Sequence, residues 1–192
     1  MSQVVVSTYV TLDGVMEDPA WSAPYWSDEA QLFARDQLWA SGALLLGRRT
    51  YELFAASWPT QEWIEREGEF AERMNTLPKH VASTTLEEPL QWQNSSLLHG
   101  DVGEAIGRLR QQPGRDILMY SSGELMHTLM EQDLIDEYRL WIHPVVLGRG
   151  KRLFEDGIAK TELKLVRTTE LANDVLVLTY RPAGRADPSR EA

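Results

Sequence analysis

"SGALLLGRRTYELF", residues 41–54, is the stretch from which the fold can be read. Leu44, Leu45 and Leu46 form a short continuous apolar run, as in a strand buried on both faces, here 43–47. Gly47, Arg48 and Arg49 follow, and Thr50 opens a segment with helical spacing to about residue 56. A strand, a tight turn and a helix N-terminus in succession gather unpaired backbone N–H groups and the positive end of a helix dipole at one point, which favours an anion. Gly47 lets the backbone come close to a ligand, Arg48 or Arg49 can fork onto a phosphate, and Thr50 can cap the helix and offer its hydroxyl. The chain as a whole has 29 acidic against 19 basic residues, a net charge of -10. An anion site must therefore be local, and a general nucleic-acid binder, which needs a basic excess, is excluded.

The same form recurs. In "MYSSGELM", residues 119–126, Ser121, Ser122 and Gly123 lead into a helix at Glu124. In "VASTTL", residues 81–86, Ser83 and Thr84 make a third polar strand end. Any one such turn is common, and solvated arginines or a serine cap would account for it. The three together fit a ligand with several phosphates laid across a sheet edge, as in a dinucleotide. Neither G-x-G-x-x-G nor the P-loop motif is present.

Working outward, "QVVVSTYV" (3–10) reads as a strand, and the Pro- and Gly-containing stretch after it as a long shaped loop. Residues 27–40 read as a helix with Ser27 as N-cap, and 60–75 as a charged, exposed helix. Further strands are expected at 79–84, 95–100, 116–123, 135–148, 161–170 and 174–181, with helices at 101–112 (capped by Asp101) and 124–132. Strands alternating with helices, then strands alone, imply an α/β fold: a mostly parallel mixed sheet flanked by helices, with antiparallel C-terminal strands. The 192 residues, 43% hydrophobic, suit one domain over 1–181, with 182–192 as a disordered tail.

Cysteine is absent, so neither disulfide nor thiolate chemistry is available. No apolar run approaches the roughly 20 residues that span a bilayer, and "MSQVVVSTYV" lacks the basic start and cleavage site of a secretion signal. The expectation is a cytoplasmic protein with neither a membrane nor a nucleic acid as partner. His80, His99, His127 and His143 show no metal-ligand spacing, so no metal is expected. No G-x-S-x-G marks a serine nucleophile.

The chain resembles the dihydrofolate reductase-like superfamily, and within it the RibD C-terminal domain, the reductase part of the bifunctional riboflavin-biosynthesis deaminase/reductase. The resemblance spans about residues 3–181 and rests on "VTLDG" (10–14), "LLLGRRTYE" (44–52), "MYSSGEL" (119–125) and "HPVVLGRGKRLF" (143–154). It implies a dihydrofolate reductase-like fold, NADPH as hydride donor, and a homodimer, in which Tyr138, Leu140 and Trp141 would be partly buried against the second chain. Gly47, Arg48 and Thr50 match the family's G-R-x-T motif, with the arginine facing the adenosine 2′-phosphate and the threonine the pyrophosphate. Ser83 and Thr84 match positions near the adenosine ribose phosphate. Ser122 and Gly123 match a pair, usually Gly-Gly, before the pyrophosphate-binding helix that Glu124 enters. Leu12, Asp13 and Gly14 match the loop beside the nicotinamide.

True dihydrofolate reductases carry a carboxylate on the first helix where this chain has Gln31. A neutral amide cannot hold the charge that assists pterin protonation. Trp21, Tyr25 and Trp26 lie beside the expected nicotinamide and can stack a planar heterocycle. Asp13 is either a turn residue or the proton donor; water is the other candidate for that proton. The reading is an NADPH-dependent reductase of a small heterocyclic or ribosylaminopyrimidine-like substrate, nearest to 5-amino-6-(5-phosphoribosylamino)uracil reductase, although no zinc deaminase domain accompanies it here. A pterin, ketone or imine reductase is the alternative within enzymes. A noncatalytic ligand-binding or interaction protein on the same fold is the alternative outside them.

Overall fold

The computed structural model describes residues 1–121 and 123–184. Its frame is one eight-stranded sheet. The strands are β1 (Val4–Thr11), β2 (Ser41–Gly47), β3 (Lys79–Ala82), β4 (Ser95–Leu97), β5 (Asp116–Tyr120), β6 (Glu137–His143), β7 (Leu163–Glu170) and β8 (Leu176–Pro182). Their order across the sheet is β4-β3-β2-β5-β1-β6-β8-β7. The first six run parallel, while β8 is antiparallel to β6 and to β7. Parallel strands are reached by crossovers, so helices cover both faces. They are α1 (Asp28–Ala40), α2 (Arg48–Ser57), α3 (Gln61–Glu67), α4 (Glu69–Thr76), α5 (Val102–Gln111) and α6 (Gly123–Glu131), with a 3-10 helix at Pro19–Tyr25.

Strand alternation sorts the core. Val4, Val6, Leu45, Ile117 and Met119 point to one face and pack with Ile106 of α5 and Met126 and Leu129 of α6. Val5, Leu44, Leu46 and Leu118 point to the other, against Leu38 of α1, Tyr51 of α2 and Met74 of α4. Leu44, Leu45 and Leu46 are all fully buried, as the unbroken apolar run required. The Ser27 hydroxyl accepts from the Ala30 N–H, and the Asp101 carboxylate from the Glu104 N–H. Both caps stand where the side-chain chemistry put them.

Four expectations need correction. Residues 60–75 make two helices, because Gly68 adopts φ 52 between them, and the second helix buries Ala71, Met74 and Asn75. The strand expected to run to 148 stops at His143, since Pro144 has no N–H to give. Thr50 is not the cap of its helix: α2 begins at Arg48 with Gly47 as N-cap. Tyr138, Leu140 and Trp141 are buried within the single chain, the first two against α5 and α6 and the third against Ala30 and Ala34 of α1. Their apolar character belongs to a sheet covered on both sides.

Candidate functional site

Because β1, β2, β3, β5 and β6 are parallel and adjacent, their C-terminal ends meet along one sheet edge. That edge carries Ser83 and Thr84 after β3, Gly47 and Arg48 after β2, Ser121 after β5, Leu12, Asp13 and Gly14 after β1, and His143 at the end of β6.

At the β2–β3 end, Arg48 Nη1 donates to the Thr85 hydroxyl at 2.8 Å, and its Nε lies 3.6 Å from a Glu52 carboxylate oxygen. The Ser83 hydroxyl accepts from the N–H groups of Thr85 and Leu86 at 3.1 and 3.0 Å. Ser83 therefore shapes the turn, and Thr85 is the side chain that joins Arg48. Thr84 is exposed beside them, and Arg49 faces solvent. An arginine, a threonine hydroxyl and the first turn of a ten-residue helix form a set of donors suited to a phosphate. Thr50 lies in that first turn. Thr85 was missed because three polar residues in a row offer no internal sign of which one turns toward α2.

At the β5 end, Gly123 begins α6. A Cβ there would stand 3.2 Å from Met16 Sδ and 3.7 Å from Lys151 Cε, so the close pass of two loops favours glycine. Lys151 Nζ lies 3.3 Å from Glu124 and 3.6 Å from Glu155. Glu124 is mostly exposed and directs its carboxylate to that lysine. Ser122 lies outside the described residues.

The loop after β1 is fastened by Asp13. Its carboxylate accepts from the Thr11 hydroxyl at 2.6 Å and from the N–H groups of Gly148 and Leu147 at 2.7 and 3.2 Å. The Thr11 hydrogen bond foremost, with that from Gly148, holds its pKa down at about 2. A carboxyl so held is an acceptor at neutral pH, and its three hydrogen bonds position the loop. Its lowered pKa stabilises the fold above about pH 4, and that contribution is lost as pH falls through about 2. Leu12 is exposed, and its N–H donates to Val145 O at 2.9 Å. Gly14 has φ 84, a conformation that glycine adopts without strain. In Asp13→Asn an amide NH2 can replace a carboxylate oxygen opposite a backbone donor. Faster hydrogen exchange at Leu147 and Gly148 is expected, with no change in the shape of any pH–rate profile between about pH 5 and 8. Loss of a titrating limb in that range would return Asp13 to proton transfer.

Beside this loop stands an aromatic cluster. Tyr9 and Trp141 are register partners, as are Thr11 and His143. Trp21, Tyr25 and Tyr9 meet the His143 ring edge to face at 5.2, 5.9 and 5.3 Å. Trp26, 45% exposed, lies nearly parallel to Trp141, with centroids 6.4 Å apart. His143 Nδ1 is 2.9 Å from Trp141 O, and since a carbonyl only accepts, Nδ1 carries the proton. Desolvation pushes the pKa of His143 down, which keeps the ring neutral. The three aromatic residues singled out in the sequence are thus brought together. Gln31 is not among them: it is exposed, and α1 turns Ala30, Ala34, Gln37 and Leu38 inward instead. Tyr9 and His143 were missed, although their i, i+2 spacing from Thr11 and Trp141 was a signal that they share a face.

Comparison with known proteins bears on the fold and the family. The uncharacterized protein YyaP of Bacillus subtilis (strain 168) is 31% identical over 179 residues, covering 93% of this chain and 94% of YyaP. A putative riboflavin biosynthesis protein from Shewanella sp. PV-4 superposes with a TM-score of 0.74 at 20% identity, over 94% of this chain and 98% of that one. Dihydrofolate reductase from Enterococcus faecalis, complexed with NADP(H), does so with a TM-score of 0.62 at 12% identity, over 94% and 96% of the two chains. These solved structures share the dihydrofolate reductase-like fold. The model of the RibD C-terminal domain matches residues 2–177. With nearly its whole length matched, the chain belongs to the RibD C-terminal domain family.

Proposed function

We propose that this protein is an NADPH-dependent reductase of a small heterocyclic compound. The observation that carries the reading is the Arg48–Thr85 contact at the ends of β2 and β3, beside the N-terminus of α2. Arg48 and Thr85, with Ser83 and Thr84 shaping the turn, hold the adenosine 2′-phosphate. Gly47 and Thr50, with Gly123 and Lys151 at the entry to α6, receive the pyrophosphate. The backbone of Leu12, Asp13 and Gly14 flanks the nicotinamide, kept in place by the bonds of Asp13. When bound, the cofactor supplies a hydride. The protein side chains orient the substrate: Trp21, Tyr25 and Trp26 offer aromatic faces, and water delivers the proton. Calorimetric titration with NADPH, followed by NADPH oxidation against pyrimidines, pterins and quinones, tests the reading. Absence of NADPH binding overturns it. Binding without turnover on any of them would favour a noncatalytic ligand-binding protein.

Within this reading, dihydrofolate is not a substrate. The carboxylates of α1 (Asp28, Glu29 and Asp36) are all exposed, and the helix lays alanines over the sheet where a pterin ring would need a charged partner. Dihydrofolate reduction is expected to be negligible, and methotrexate-sensitive turnover would overturn that expectation. The reading also includes a homodimer in the cytoplasm, built on residues other than those first expected. Strand β7 ends the sheet and exposes Leu165 (48%) and Val166 (39%). A monomer at micromolar concentration by sedimentation would rule the dimer out. Among the described residues no helix is long and apolar enough to cross a membrane.

A further inference from the structure

We infer that Ser121 is a cofactor-positioning residue, whose hydroxyl holds the ribose that joins the pyrophosphate to the nicotinamide. This rests on the reductase reading above and assigns one more contact within it.

The position follows from the sheet. Strand β5 lies between β2 and β1, so its C-terminal end stands between the Gly47–Arg48 end and the Leu12–Asp13–Gly14 loop. Leu45 pairs with Met119, and Ser7 with Tyr120. Counting on along parallel strands sets Ser121 level with Gly47 on one side and with Thr8 on the other. Neighbouring strands are only about 4.8 Å apart. A dinucleotide with its pyrophosphate at Gly47 and its nicotinamide at the β1 loop therefore brings its second ribose to Ser121.

The backbone there is strained, with φ 31. Six described residues other than glycine have positive φ, and five of them are Asn or Asp, whose short polar side chains suit that region. Ser121 is the sixth. Its N–H donates to Ser7 O at 3.3 Å, and its hydroxyl lies 3.3 Å from that of Thr8. Thr8 is buried, whereas Ser121 is half-buried at the sheet edge. With Thr8 donating, the Ser121 proton is left for an oxygen at that edge, and a ribose supplies hydroxyl oxygens that accept it. Within the folded chain alone the return is small. One long bond between neutral hydroxyls is set against a left-handed serine, where glycine would take the same φ without strain. Strain at a ligand-facing edge is offset when the ligand binds.

Ser121→Gly removes the hydroxyl and the strain together, and Ser121→Ala removes the hydroxyl alone. The full-length wild type and both variants are titrated by calorimetry with three ligands. NADPH carries the whole group. 2′-Phospho-ADP-ribose keeps the second ribose and lacks the nicotinamide. Adenosine 2′-phosphate 5′-diphosphate keeps both 5′-phosphates and lacks the ribose as well. In both variants the first two ligands are expected to bind roughly 3- to 10-fold more weakly, as for one neutral hydrogen bond, with the third unchanged. Equal losses for all three ligands would make Ser121 a support of the fold. A loss for NADPH alone would place the contact on the nicotinamide, and a loss in Ser121→Gly alone would trace the effect to backbone freedom. Each of these, or full affinity for NADPH in both variants, overturns this inference and leaves the reductase reading standing. A wild type that binds none of the three overturns both.

Discussion

Replacing Arg48 by alanine is expected to weaken NADPH binding by roughly 10- to 150-fold while leaving NADH nearly untouched. A charge-assisted hydrogen bond contributes on the order of 1.5–3 kcal/mol, and each tenfold is about 1.4 kcal/mol. Only NADPH carries the 2′-phosphate that such a bond would grip. The side chain has little to give up in taking a phosphate: its pairing with Glu52 is an exposed i, i+4 contact at 3.6 Å, of a kind that contributes well under about 1 kcal/mol. Its bond to Thr85 places the guanidinium at the β3 turn already, so little ordering remains to be done. Arg49 is the control. It follows on the same helix about 100° around, faces solvent, and Arg49→Ala should change neither affinity. Six titrations, wild type and two variants against two cofactors, check this by calorimetry. Equal losses for both cofactors at Arg48 would mean that the residue supports the fold and reads no phosphate. A selective loss at Arg49 would shift the motif by one residue.

Asn75→Ala is expected to cost on the order of 2–5 kcal/mol of stability. Asn75 is a buried junction. Its Oδ1 accepts from Trp92 Nε1 at 2.6 Å, its Nδ2 donates to Trp58 O at 2.9 Å, and its own carbonyl accepts from Lys79 Nζ at 2.9 Å. Alanine orphans the indole N–H and a carbonyl where water does not reach, and each such group costs about 1–3 kcal/mol. At roughly 2–4 °C per kcal/mol the melting point should fall by about 4–20 °C. The network matters to the site because Trp92 N–H donates to Tyr51 OH, linking the segment after β3 to the helix that carries Arg48. A fall of less than about 1 kcal/mol would mean that the site repacks or admits water.

Lys79 gives the same network a pH signature. The side chain is fully buried, with Nζ donating to the carbonyls of Asn75, Leu77 and Gln93 and lying 4.3 Å from the Trp92 ring. Desolvation outweighs these contacts and lowers its pKa from 10.5 to about 8. Between those values the unfolded chain binds the proton and the folded chain does not, so stability rises with pH across that window. Burial raises the pKa values of Tyr9 and Tyr120, which reverses the slope above about pH 10. Denaturant midpoints from about pH 7.5 to 10 should therefore climb in the wild type and stay flat in Lys79→Met.

Much of this protein is legible without coordinates. The period of its apolar residues marks strands and helices, because a strand buried on two faces has no polar alternative and a helix needs its stripe. The run at 44–46, the caps at Ser27 and Asp101, and the alternation of strand with helix followed by strands alone define the layers and the parallel sheet. The polar strand ends then share one edge as a consequence of parallel direction. The sequence also announces which residues can hold an anion, through arginine and hydroxyl chemistry at helix entries. What it leaves open is pairing across long separations. Nothing near residue 48 points to Thr85 in place of Ser83 or Thr84, because the choice depends on how the turn after β3 spends its own hydroxyls. The role of Asp13 was open for the same reason: its partners at 147 and 148 come from a loop more than 130 residues away, and they turn a potential acid into a held carboxylate. The rotation of α1 left Gln31 exposed and turned its alanines to the sheet, and burial within one chain decided against Tyr138, Leu140 and Trp141 as contacts to a second. Local pattern determines which elements form, since backbone hydrogen bonding and side-chain burial act over a few residues. Which polar groups meet is decided by tertiary structure, since a hydrogen bond depends on ångströms that only the packed sheet supplies.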